Sequence, residues 1–116
     1  MASKIVIKIG QNSDEDLKKI FQNPKKYGRP GTHTIYLKKP EELQSLLSPE
    51  RLRLLAELIH YQDADVSGLA QSLNRNQEAI SRDLAKLEEN NLIKKIRRGK
   101  NVYPQLNVKE IVIQLT

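Results

Sequence analysis

Between positions 94 and 100 the chain carries five cations in seven residues, Lys94, Lys95, Arg97, Arg98 and Lys100, with no acid among them. Like charges packed this closely repel, and a surface that keeps them is suited to a polyanion. The chemistry open to them is phosphate binding, with Gly99 and Asn101 completing the segment. Otherwise the cluster is only a solvated turn.

A second set lies just upstream, in Arg75, Asn76, Gln77, Glu78, Ser81, Arg82 and Lys86. Gln pairs bidentately with adenine and Arg with guanine in a major groove. Ser81 is short enough to reach either a base or a phosphate. Arg75 and Asn76 stand where a helix would begin, and free backbone N–H groups there favour a phosphate. The alternative is a solvated polar face.

These residues need elements to hold them. Ile80, Leu84 and Leu87 repeat at helical spacing, so a helix over 76–90 buries that stripe and turns Gln77, Glu78, Ser81, Arg82, Ala85 and Lys86 outward. Asn76 caps its start, and Asn90-Asn91 ends it, because Asn tolerates the left-handed conformation. A short helix, Val66–Leu73, precedes it, capped by Asp63 or Asp65, with Leu69, Ala70 and Leu73 as core. Two helices joined by the tight turn Asn74-Arg75 are a helix-turn-helix. Ser48-Pro49 opens an earlier helix to about His60 or Tyr61, with Leu52, Leu55, Ala56, Leu58 and Ile59 as a wide buried face. Leu92–Arg97 and Asn101–Leu106 flank Arg98-Gly99-Lys100 as a hairpin, the wing that would hold phosphates or enter the minor groove.

The flanks read differently. Residues 4–9 are a β-branched strand ending at Gly10, 32–38 a second, and 110–115 a third. Ser13 and the acids after it open a helix whose Leu17, Ile20 and Phe21 face inward and which stops before Pro24, with a loop over 24–32. Pro40-Glu41-Glu42 opens a short helix with Leu43, Leu46 and Leu47 as its apolar face. The terminal strands need partners, either each other, the 32–38 strand or a second chain. Lys18, Lys19, Lys25, Lys26 and Arg29 touch DNA backbone or are solvated.

The expected fold class is α+β: a winged helix-turn-helix core at 48–106, an extension at 1–47, and a strand at 107–116 that joins the extension in a small additional sheet. That sheet is the expected dimerisation module.

Composition narrows the function. The chain has 116 residues, a net charge of +6 and no cysteine. One basic domain of this size fits nucleic acid as a partner. Without cysteine there are no disulfides, thiol nucleophiles or Cys-type metal sites. His33 and His60 are the only histidines and form no ligand pair. Glu88 and Glu89 are adjacent, so their side chains diverge on a helix. Tyr103 packs at the wing base. The expectation is no catalytic residue, no metal, no cofactor and no enzyme. The N-terminus is not expected to act as a signal peptide, and no run reaches the ~20 apolar residues of a membrane span. A cytoplasmic protein, nucleoid-associated when bound to DNA, is expected.

Three segments resemble a known family. Leu-Ser-Pro-Glu-Arg-Leu-Arg-Leu-Leu at 47–55, Val-Ser-Gly-Leu-Ala-Gln-Ser-Leu-Asn-Arg-Asn at 66–76 and Ile-Ser-Arg-Asp-Leu-Ala-Lys-Leu-Glu-Glu-Asn-Asn-Leu-Ile at 80–93 are similar to MarR-like winged-helix transcriptional regulators of archaea and bacteria. Many of those have Gly where this chain has Asn91. The resemblance implies double-stranded DNA bound by a homodimer, usually to repress a promoter. Some such proteins resemble antitoxins, which would add a toxin as partner. A partition adaptor, or a winged helix used only for protein contact, is the further alternative.

Overall fold

The structure, a computed structural model, describes residues 4–10 and 31–115. The helix expected from Ser13 to Pro24, most of the loop after it, and Lys18, Lys19, Lys25, Lys26 and Arg29 lie outside the described residues. The described chain runs β1 (Lys4–Ile9), β2 (Thr32–Leu37), α1 (Glu41–Leu46), α2 (Pro49–His60), α3 (Val66–Leu73), α4 (Gln77–Glu89), β3 (Ile93–Arg98), β4 (Asn101–Leu106) and β5 (Glu110–Gln114). No described helix is long and apolar enough to cross a membrane.

Two compact units result. One spans Gln44–Asn107 and is an α+β winged helix. Its helices start where short polar side chains meet them: Ser48 accepts from the Arg51 N–H at 3.3 Å, and Asp65 from that of Gly68 at 2.8 Å. Asn74 ends α3 in the left-handed region at φ 53°, which Asn reaches at less cost than other side chains. Asn91 does the same after α4 at φ 63°, and the Leu92 N–H returns to the Leu87 carbonyl at 3.0 Å. The core is aliphatic: Leu54, Leu58, Leu69, Ile80, Leu84, Leu87, Leu92 and Ile93 are buried.

The wide buried face expected of α2 is narrower than its sequence suggests. Leu54, Leu55 and Leu58 are buried, whereas Leu52 is 49% and Ile59 59% exposed, and Ala56 is exposed between them. At 100° per residue these are two adjacent stripes, and a surface helix buries about one.

The wing is an antiparallel pair with Arg98 opposite Asn101, so Gly99-Lys100 is a two-residue turn. Only Gly99 has positive φ, at 63°, the pattern of a type II′ turn, whose first central position calls for glycine.

The other unit contains the described part of Met1–Leu43 together with the chain from Val108. Its sheet has the order β2-β1-β5, parallel throughout, with Ile5 beside His33 and Ile111, and Ile7 beside Ile35 and Ile113. The terminal strands thus pair with each other and with the 32–37 strand. Ile5, Val6, Ile7 and Ile9 in the central strand are buried.

Candidate nucleic-acid interface

α4 divides cleanly into two faces. Ile80, Leu84 and Leu87 are fully buried, and Gln77, Glu78, Ser81, Arg82, Ala85 and Lys86 are exposed. The exposed residues fall at i, i+1, i+4, i+5, i+8 and i+9, one continuous strip along the helix. At its N-terminal end the Gln77 amide Nε2 donates to Ser67 Oγ at 3.3 Å, which links the strip to α3. Between α3 and the start of α4 lies an open groove of about 430 Å³, lined largely by polar groups including Ser67, Gln71, Asn74 and Asn76.

Asn76 has a task inside the fold. Its Oδ1 accepts from the Ala79 N–H at 2.8 Å, the N-cap expected of it. Asn76→Ala is therefore expected to cost about 1 kcal/mol of stability, with most of it retained by Asn76→Asp, as chemical denaturation would measure.

Arg75 is likewise engaged. Its Nη1 lies 2.8 Å from Asp83 Oδ2, and Arg51 Nε lies 3.2 Å from Asp83 Oδ1. Arg75, placed by the sequence at a helix entrance suited to phosphate, thus has its guanidinium directed at a carboxylate. Asp83 and Arg51 escaped the sequence reading. The available signal was a charge at position 83 on the stripe of Ile80, Leu84 and Leu87.

The wing cations are exposed or half-buried, but they are not equivalent. Strand alternation puts Lys95 and Arg97 on one face with Ile93, and Lys94 and Arg98 on the other with Ile96. Lys95 Nζ is 3.6 Å from Glu88 Oε1 of α4, so the cluster has an acid beside it that lies outside its own segment. The Arg98 guanidinium sits over the Tyr103 ring, 5.5 Å from its centroid, a stacking that orients the cation and leaves its charge intact. Arg97, Lys100 and Asn101 are exposed at or next to the tip. Among the described residues no group of three or more His, Cys, Asp or Glu could hold a metal ion.

A family model described as HVO_A0114 matches residues 46–113, which include α2 to α4 and the whole wing. No curated protein matches the chain. Among solved structures, a transcriptional regulator HlyU from Vibrio vulnificus CMCP6 is similar at 28% identity and a TM-score of 0.50, over 79% of this chain and 82% of that one. NolR from Sinorhizobium fredii is similar at 26% identity and a TM-score of 0.50, over 62% and 81%. Rv0081 of M. tuberculosis, at 21% identity and a TM-score of 0.51 over 60% and 76%, shares the fold.

Proposed function

The chain belongs to the HVO_A0114 family, and from the interface carried by its matched residues we propose that it is a sequence-specific double-stranded DNA-binding protein, a MarR-like transcriptional regulator that acts as a repressor. α4 enters the major groove, and the wing holds the backbone or minor groove alongside. The observation that carries this is α4 itself: a helix fixed by a fully buried stripe that turns Gln77, Ser81 and Arg82 outward, followed at once by an exposed basic hairpin. HlyU of Vibrio vulnificus, similar over most of both chains, is a transcriptional regulator, which supports the same role here. The repressor role rests on the resemblance to MarR-like regulators. Nothing in this chemistry calls for catalysis.

The unit at 48–106 carries the contacts. The flanks, 1–47 and 107–116, hold two copies together through the β2-β1-β5 sheet. A two-fold dimer places two α4 helices on half-sites about one DNA turn apart, ~34 Å. Sedimentation of the purified protein at micromolar concentration tests this, and a strictly monomeric mass overturns it.

Selection of binding sites from a random duplex library tests the DNA reading directly. Within the selected site, Arg82→Ala is expected to cost about 1–3 kcal/mol of discrimination at one base pair and little elsewhere. An unselective library, or an Arg82→Ala variant with the wild-type site preference, counts against α4 as the reader.

A further inference from the structure

Asp83 occupies a slot on the buried stripe of α4, between Ile80 and Leu84, with its side chain 12% exposed. Its two oxygens receive two guanidinium groups from two other places in the chain. Arg51 comes from the first turn of α2, and Arg75 from the turn that joins α3 to α4. Arg75 Nη1 and Asp83 Oδ2 are both buried and make no hydrogen bond, so this arm of the triad is an ion contact, whereas the Arg51 arm is hydrogen-bonded. Arg51 also donates through Nη1 to the Ser45 carbonyl, which leads the tie back to α1.

Stability alone is a poor reason for this arrangement. An apolar side chain of similar volume at such a position is often neutral or stabilising, because two charges need not be desolvated. An acid here also subtracts from the positive field that a polyanion would meet. What the carboxylate adds is direction. An aliphatic stripe lets a helix rotate or slide slightly against its neighbours, whereas a hydrogen-bonded ion pair with Arg51 and a buried ion contact with Arg75, from different elements, restrict it to one rotation.

We infer that Asp83 is a positioning residue that sets the rotation of α4, and that Arg75 acts through Asp83 rather than as a phosphate contact. This rests on the DNA-binding reading above. The rotation of α4 decides where Gln77, Ser81 and Arg82 point, so the ion triad governs selectivity for sequence. General attraction to phosphate is left to the exposed cations.

The test uses the full chain, its library-selected duplex and an unrelated duplex, titrated over a range of salt. Arg75→Ala and Asp83→Asn are each expected to weaken binding to the selected duplex by about tenfold or more, the loss that follows from displacing one good base contact. Binding to the unrelated duplex, and its salt slope, stay at wild-type values. Together the two changes cost no more than the worse one alone, since they break one network.

A drop of about 0.9 in the salt slope on Arg75→Ala overturns the inference, because that is the mark of a lost phosphate contact. So does an Asp83→Asn variant that binds its site as tightly as wild type or tighter, the result that charge alone would give. If Asp83→Asn does not fold, the triple variant Arg51→Met, Asp83→Leu, Arg75→Met takes its place. It is expected to melt near wild type and to lose selectivity, and retained selectivity overturns the inference. If the wild-type protein binds no DNA at all, the functional reading falls. The positioning role is then read from amide exchange at Ala79 and Ile80 in α4's first turn: faster exchange in Asp83→Asn supports it, and unchanged exchange overturns it.

Discussion

Replacing Arg97, Arg98 and Lys100 together by alanine is expected to lower affinity for every duplex, selected or not, by about two to three orders of magnitude at 0.1 M salt. The size follows from counterion release. Each phosphate neutralised by a cation contributes about 0.9 to the slope of log K against log salt, and at 0.1 M that is about 0.9 of a decade per contact. Three contacts at the wing tip give the stated range, and the slope itself flattens by about 2.7. Lys95 lies beside Glu88, so part of its field is already answered within the fold. Arg97 and Lys100 are exposed, and Arg98 keeps its full charge while Tyr103 orients it. Base preference is expected to survive, because the wing residues reach phosphates and α4 reads the bases. Fluorescence anisotropy with selected and unrelated duplexes at several salt concentrations separates the outcomes. If the triple variant and wild type share one slope, the wing is a solvated turn.

That division of labour was only partly legible in the sequence. The local signals could be read because each acts within a few residues. The Asn76 cap reaches Ala79, Asn74 and Asn91 bend their own backbone, and Gly99 sits at the one turn position that needs positive φ. The stripe of Ile80, Leu84 and Leu87 likewise fixes, by spacing alone, which face of α4 is outward. Arg51 and Asp83 are separated by 32 positions, and nothing near either residue announces the other. Arg75 at a helix entrance has the same local signature whether it meets a phosphate or a carboxylate. Only the packing of α2 against the helix-turn-helix decides. The face of α2 failed for a related reason: its aliphatic residues fill two stripes, and sequence does not say which stripe finds a neighbour. For the terminal strands, pattern gave their existence, while three pairings stayed open. Parallel partners are joined through long connections, so no hairpin turn fixes their register.

One substitution, Leu to Ala, is expected to have unequal consequences on the buried stripe of α4 and the exposed stripe of α2. Leu84→Ala is expected to destabilise the winged-helix unit by about 2–5 kcal/mol, the usual cost of a buried Leu reduced to Ala with a cavity left behind. Leu52→Ala, the same chemical change, is expected to cost under about 1 kcal/mol, because Leu52 is 49% exposed and Leu84 is wholly buried. In a small domain each kcal/mol moves the melting temperature by about 4–8 °C, so Leu84→Ala shifts it by roughly 8–40 °C. Against a typical total of about 5–15 kcal/mol, the larger figure takes much of the unit's stability. Leu84 sits one residue after Asp83 and two after Arg82, so a cavity there loosens the element that both the ion triad and the outward residues depend on. DNA selectivity should therefore fall in Leu84→Ala at temperatures where the chain is still folded, while Leu52→Ala keeps it. Thermal unfolding of the two variants beside wild type measures the first difference, and titration with the selected duplex well below the transition measures the second. Equal losses at positions 52 and 84 would mean that α2 buries both of its stripes, as its sequence alone suggests. The exposed face of α4 would then have to be located again from a differently packed core.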